Sequence, residues 1–173
     1  MEKSNWVYVG GTFDLFHYGH ARFLEQCARH GKVIVAINTD DFCERYKRKP
    51  VLTLGERIES VAACKWVDEV IVNVGDEDSG LTIDLVKDKK ISYIAHGDDW
   101  TGPALMEQLG ISQEWLDERD IKMLYIPYTA GISTSEIIRR VGGNLHSDCD
   151  CSCGCSGNGT HGRRPPRPES QAR

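Results

Sequence analysis

Five consecutive apolar residues, Val33-Ile-Val-Ala-Ile37, stand in one run with no polar residue between them. A half-buried strand alternates and an amphipathic helix repeats near every 3.6 residues, so an unbroken, mostly β-branched run predicts a strand buried on both faces. Such a strand has no side left for water, and its sheet must be covered by helices above and below. Lys32–Asn38 is this strand, and Trp6–Gly10, Val70–Val74, Ile91–Ala95 and Ile121–Ile126 are four further candidates. Helical patterns lie between them. The first starts near Gly19 and carries Phe23, Leu24, Cys27 and Ala28. The second opens with the capping box Thr53-x-x-Glu56 and carries Ile58, Val61, Ala62 and Val67. A third covers Ile83–Lys89, a fourth follows Ser112 with Trp115 and Leu116, and the last opens with Ser133-x-x-Glu136 and carries Ile137, Ile138 and Val141. Regular strand–helix alternation predicts an α/β fold, a Rossmann-like, doubly wound parallel sheet of five strands with right-handed crossovers. Ligands of such sheets bind beyond the carboxyl ends of the strands, where the strand order reverses.

After Gly142-Gly143 the composition turns to Gly, Ser, Pro, Cys and Arg, with almost no large apolar side chains. Residues 1–143 are therefore read as one folded domain, and 144–173 as a disordered tail that cannot bury enough surface to fold. The tail crowds Cys149, Cys151, Cys153 and Cys155 together between His146 and His161. These are donors for soft metals such as Zn2+ or Cu+, but the alternate spacing is not that of a structural zinc site, and no metal site is assigned. Arg163-Arg-Pro-Pro-Arg-Pro168 is of polyproline II type. Cys27, Cys43 and Cys64 bring the count to seven, an odd number that argues against a complete disulfide framework. A net charge of -5 gives no reason to expect a nucleic-acid partner. No run is apolar for long enough to span a bilayer, and residues 1–5 carry no signal-type apolar stretch, so a cytoplasmic location is expected.

The strongest chemical signal is Gly10-Gly-Thr-Phe-Asp-Leu-Phe-His17-Tyr-Gly-His20, which follows the first strand and opens the first helix. Gly10 and Gly11 let the backbone approach a ligand, and the free N–H groups of a helix N-terminus attract phosphate. His17 and His20 share one side of the first turn, where two imidazoles can donate to an α-phosphate as charge builds on it. A zinc pair would need a third ligand, and none is near in sequence. Either histidine alone would be an ordinary surface residue; the glycine-rich turn before them sets them apart.

This H-x-G-H after Gly-Thr-Phe-Asp resembles the cytidylyltransferase branch of the HUP-type nucleotidyltransferases, over roughly residues 6–141. Within it the chain is similar to glycerol-3-phosphate cytidylyltransferase, to the choline- and ethanolamine-phosphate enzymes, and to cytidylyltransferases of phosphonate metabolism. Further segments carry the likeness. Arg45-Tyr-Lys-Arg-Lys-Pro50 matches a basic loop that contacts the triphosphate in the family, with Lys47, Arg48 and Lys49 as candidates. Arg57 follows on the next helix, and Lys65 stands where the family tends to have Arg. Trp66-Val-Asp-Glu-Val70 resembles a segment at a homodimer interface, which implies a dimer. His96-Gly-Asp-Asp-Trp100 implies that Gly97, Asp98, Asp99 and Trp100 line the nucleotide pocket. Tyr128-Thr-Ala-Gly-Ile-Ser-Thr-Ser135 resembles the R-T-x-G-I-S-T signature, which assigns Gly131, Ile132, Ser133 and Thr134 to the nucleotide. Tyr128 replaces the family's Arg and removes a cation.

The resemblance implies CMP transfer from CTP, with Mg2+, to a small acceptor bearing a phosphate or phosphonate. Glycerol 3-phosphate leads, followed by a hydroxyalkyl- or aminoalkylphosphonate and by phosphocholine or phosphoethanolamine. His17, His20, Lys47, Arg48 and Arg57 would be the catalytic set. Gly10, Gly11, Thr12, Phe13 and Gly19 would meet the nucleotide. Asp14 would orient the turn or meet the acceptor, together with Tyr128. The alternatives are an ATP-dependent adenylyltransferase, or a non-catalytic nucleotide-binding protein with a metal-binding tail.

Overall fold

The computed structural model describes residues 5–74, 79–86, 88–99 and 101–147. Five strands, β1 (Trp6–Gly11), β2 (Lys32–Ile37), β3 (Glu69–Val72), β4 (Ile91–Gly97) and β5 (Lys122–Ile126), form one parallel sheet in the order β3-β2-β1-β4-β5. The strands match the sequence reading to within one or two residues at each end. Seven helices are seen among the described residues: α1 (Tyr18–Cys27), α2 (Asp40–Tyr46), α3 (Leu54–Ala62), α4 (Ser79–Leu85), α5 (Pro103–Gln108), α6 (Gln113–Glu118) and α7 (Thr134–Ser147). Two of them, α2 and α5, were not foreseen. They have seven and six residues, too few turns to show a repeating apolar stripe. The third helix lies earlier than expected, at Ser79–Leu85. The last helix runs on through Gly142 and Gly143 to Ser147. The cysteine run and Arg163–Pro168 lie outside the described residues.

β2 is buried as its composition demands, with Val33, Ile34, Val35, Ala36 and Ile37 all at 0% exposure. Alternate residues feed two cores. Val33, Val35 and Ile37 join Val7, Val9, Leu24 and Val61 beneath α1 and α3. Ile34 and Ala36 join Tyr8, Ile94, Ile111 and Leu116 on the opposite face. Full burial of each such side chain stabilises by about 1.5–3 kcal/mol, so the two faces hold the sheet as the middle layer of three. Among the described residues no helix is long and apolar enough to cross a membrane.

The register explains where the molecule opens. β1 stays paired with β2 through Gly11↔Ile37, and β4 stays paired with β5 through Gly97↔Ile126. Pairing between β1 and β4 ends at Tyr8↔Ile94. The carboxyl ends of β1 and β4 therefore part, at the point where strand order reverses, and leave a crevice between Gly10-Gly11 and His96-Gly97.

Candidate active site

A cleft of about 500 Å3 occupies that crevice. The turn from β1 into α1 forms its floor, and it is held in an uncommon shape. Phe13 and Leu15 have φ of 52° and 47°, the left-handed region that bulky residues avoid. Asp14 between them ties the turn down. Its carboxylate accepts from the backbone N–H groups of Val51 and Leu52, both at 3.0 Å, and from Arg48 at 3.5 Å. Its carbonyl accepts from the Thr134 hydroxyl at 3.0 Å. Of the two roles expected for Asp14, the geometry displays the orienting one.

His17 is the N-cap of α1, and its Nδ1 accepts from the Gly19 N–H at 3.1 Å. His20 Nδ1 accepts in turn from the His17 N–H at 3.4 Å. An imidazole nitrogen that accepts carries no proton, so each ring has its N–H at Nε2 when neutral. Burial lowers the pKa of His17, and burial followed by the charge of His17 lowers His20 to about 3, against a raising effect of Asp14. Both rings are neutral donors at physiological pH, stacked with centroids 3.8 Å apart. Gly19 is required between them: a Cβ there would lie 2.9 Å from Ile132 Cγ2 and 3.0 Å from His17 Nδ1.

The basic loop divides. Lys47, the C-cap residue of α2, and Arg48 line the cleft. Arg57 does not, and its expected place on the phosphates is corrected by its surroundings. Its side chain is 0% exposed, donating to the Thr12 carbonyl at 2.7 Å, the Leu52 carbonyl at 3.3 Å and Asp40 at 2.5 Å. It braces both the floor turn and the loop that Asp14 grips.

Gly97, Asp99, Tyr128, Ile132, Ser133 and Thr134 also line the cleft. Asp98 is not among the lining residues and accepts from the Tyr128 N–H at 2.9 Å. Gly131 is also off the lining and takes φ of 80°, which turns the chain into α7. Ser133 caps α7 by accepting from the Glu136 N–H at 3.1 Å, while the Glu136 carboxylate clasps Arg139 instead of closing the box. The Tyr128 hydroxyl is engaged, donating to the Ile132 carbonyl at 2.9 Å. Tyr18 donates to the Ala130 carbonyl at 3.2 Å, which joins the starts of α1 and α7. Trp100 lies outside the described residues. Two helix N-termini, two neutral imidazoles and the cations Lys47 and Arg48 thus converge where a polyphosphate would sit.

The profile of the cytidylyltransferase-like family matches residues 8–140, most of the chain. The chain belongs to this family. Among curated relatives of this cytidylyltransferase-like chain, it is 38% identical over 138 residues to choline-phosphate cytidylyltransferase 2 of Arabidopsis thaliana, covering 78% of this chain and 44% of that one. It is 33% identical over 143 residues to ethanolamine-phosphate cytidylyltransferase of Dictyostelium discoideum, covering 81% of this chain and 37% of that one. The chain thus spans less than half the length of these relatives. A solved lipopolysaccharide core biosynthesis protein from Thermoplasma volcanium GSS1 shares the fold at TM-score 0.54 and 20% identity, over 72% of this chain and 95% of that one. The expected Rossmann-like nucleotidyltransferase fold is the one observed.

The cytidylyltransferase-like cleft also holds residues the sequence reading passed over. Asn38 and Asn73 follow β2 and β3, Cys43 stands 3.2 Å from the Thr12 hydroxyl, and Gln108 ends α5. A lone carboxamide after a strand carries no pattern. One signal was available: an Asn directly after each of two apolar strands, Asn38 and Asn73, falls at the ligand end of a parallel sheet.

Proposed function

We propose that the protein is a cytoplasmic, CTP-dependent cytidylyltransferase that moves CMP onto the phosphate of a small polar acceptor and releases pyrophosphate. The observation that carries this reading is the stacked, neutral His17–His20 pair at the start of α1, joined to the start of α7 on one wall of the cleft. An acceptor oxyanion attacks the α-phosphorus of CTP in line, the bond to the β-phosphate oxygen breaks, and pyrophosphate leaves. The acceptor is already ionised at neutral pH, so no general base is required, and catalysis consists of positioning and charge stabilisation.

The roles follow from the geometry. His17 and His20 donate through Nε2 to the α-phosphate oxygens, on which charge builds. Lys47 and Arg48 hold the departing phosphates. Thr12, Ser133, Thr134 and the free N–H groups of both helix starts supply neutral donors. Arg57 supports the floor from behind. Among the described residues no three His, Cys, Asp or Glu side chains group as a metal cage. Asp99, which lines the cleft, would be a carboxylate available to Mg2+ carried in by the triphosphate, and Mg2+ would supply charge neutralisation on the phosphates.

Glycerol 3-phosphate is the leading acceptor. A hydroxyalkylphosphonate is the second reading, favoured by Tyr128, whose hydroxyl is held by Ile132 and which brings no cation to the acceptor. We also propose a homodimer through β3. This edge strand leaves Val72 and the following Val74 at 38% and 46% exposure, and Trp66 lies beside it.

The test is pyrophosphate release from CTP and from ATP with Mg2+, over glycerol 3-phosphate, 2-hydroxyethylphosphonate, 2-aminoethylphosphonate, phosphocholine and phosphoethanolamine. CTP-specific turnover that vanishes in the His17→Ala, His20→Ala double variant supports the reading. Preference for ATP, or persistence of turnover in that variant, overturns it.

A further inference from the structure

The two faces of the sheet give the cleft two chemically different walls. The α1 and α7 side offers imidazoles, hydroxyls and helix N–H groups, suited to phosphates. The α4 and α5 side offers carboxamides, Asn38, Asn73 and Gln108. They form a directed arrangement. Tyr8, at 3.5 Å, and Thr82 both donate to Asn73 Oδ1. Asn73 Nδ2 then donates to Asn38 Oδ1 at 2.9 Å. With its oxygen engaged, Asn38 has its amide N–H group left to offer the cleft. Gln108 is the counterpart. Its Oε1 is buried and has no hydrogen-bond partner. It lines the same cleft as the asparagines, and α5 is tied toward them through Leu109, which accepts from Gly80 N–H at 3.3 Å, two residues before the Thr82 that donates to Asn73. A buried carbonyl left unpaired costs about 1–3 kcal/mol, so a bound group that pairs with it is favoured by that margin.

One donor and one acceptor on the same wall match a hydroxyl, which both donates and accepts. A trimethylammonium group does neither and would leave the Gln108 carbonyl and the Asn38 amide unpaired. Asn38 and Asn73 follow β2 and β3, across β1 from the β4–β5 side that carries Gly97 and Asp99. Gln108, at the end of α5 in the β4-to-β5 crossover, faces this asparagine half from the β4–β5 side of the cleft, so an acceptor held there meets both carboxamides.

We propose that Gln108 and Asn38 form the acceptor-specificity site, which selects a phosphate or phosphonate bearing a hydroxyl over one bearing a trimethylammonium group. This rests on the proposed CMP transfer for its meaning, but its test does not require turnover.

Binding of glycerol 3-phosphate, 2-hydroxyethylphosphonate and phosphocholine to the full chain is measured by calorimetry with CMP present, for wild type, Gln108→Leu and Gln108→Glu. The expected result is tighter binding of at least one hydroxylated ligand than of phosphocholine, weakened about tenfold in Gln108→Leu with phosphocholine unchanged. Gln108→Glu shifts the ratio toward phosphocholine, because a carboxylate attracts the cation; a merely structural role would leave that ratio alone. Equal weakening of all ligands, phosphocholine bound best by wild type, or no binding of any of them overturns the proposal. So does weaker CMP binding in Gln108→Leu with the acceptors unaffected, since Gln108 would then read the nucleoside. Absence of CTP turnover alongside the expected binding pattern would overturn the proposed reaction and leave the specificity site standing.

Discussion

His20 accepts the His17 backbone N–H on Nδ1 at 3.4 Å, and the two imidazoles lie 3.8 Å apart at 18°. Two charged imidazoles cannot share this geometry at low cost, and burial adds to the preference for the neutral form. The cap that starts α1 therefore also sets the protonation state of the site.

Stability should depend on this pair. His20 titrates near 3 when folded and near 6.5 when unfolded. The unfolded chain thus binds more protons between those values, and stability falls as pH falls from 6.5 toward 3. The slope is about 1.4 kcal/mol per pH unit while His20 alone titrates. The stabilisation is fully present above 6.5. Urea midpoints from pH 7 to 4 should show the decline, and His20→Asn should flatten it. A decline of equal slope in the variant would assign it to other groups.

Gly19→Ala should lower kcat by about a hundredfold with only a modest fall in Tm. The added Cβ meets Ile132 Cγ2 at 2.9 Å and His17 Nδ1 at 3.0 Å, so α1 and the start of α7 must separate and the His17 ring must turn. Steady-state kinetics beside a melting curve separates these effects. An unchanged kcat would mean that the cleft widens without harm.

Arg57→Leu should destabilise by about 2–4 kcal/mol, read as a shift in denaturant midpoint. It strands two carbonyls, those of Thr12 and Leu52, and leaves Asp40 without its cation, holding only the Leu54 N–H. Arg57→Lys should recover only part, because an ammonium cannot reproduce the fork that meets three acceptors. Wild-type stability with lost turnover would instead return Arg57 to the phosphates.

Tyr128→Arg should lower KM for the acceptor several-fold without raising KM for CTP, by placing a cation on a cleft wall where Tyr128 is 54% exposed. Tyr128→Phe should weaken the 128–132 loop by about 1 kcal/mol, the worth of the bond to the Ile132 carbonyl. Acceptor kinetics for both variants decide whether this position serves charge or loop shape.

Much of the molecule was legible because its signals are local. The run at Val33–Ile37 is buried throughout, and Thr53 and Ser112 cap the helices they were expected to open. What stayed hidden was short or long-range. Helices α2 and α5 lack the length for periodicity, and α4 begins before its apolar pattern suggests. Arg57 was expected at the phosphates because the family resemblance places an Arg there beside the basic loop. Only its pairing with Thr12, 45 residues away, shows it to be buried. Gln108 and Asn73 gave no pattern of their own, since a carboxamide acquires a role only from what it faces.

The sequence by itself determined the alternation of elements, the three-layer fold and the position of the His17–His20 turn, because each depends on neighbours within a few residues. Tertiary structure decided which polar groups remain available to a ligand. It tied Asp14 to the 51–52 backbone, withdrew Arg57 and Asp98 from the cleft, and left Lys47, the two Nε2 groups and Gln108 facing it. The physical reason is that a hydrogen-bonding group joined to a distant partner is no longer free for a substrate, and those partners, 30 to 45 residues apart in the chain, meet only in the folded sheet.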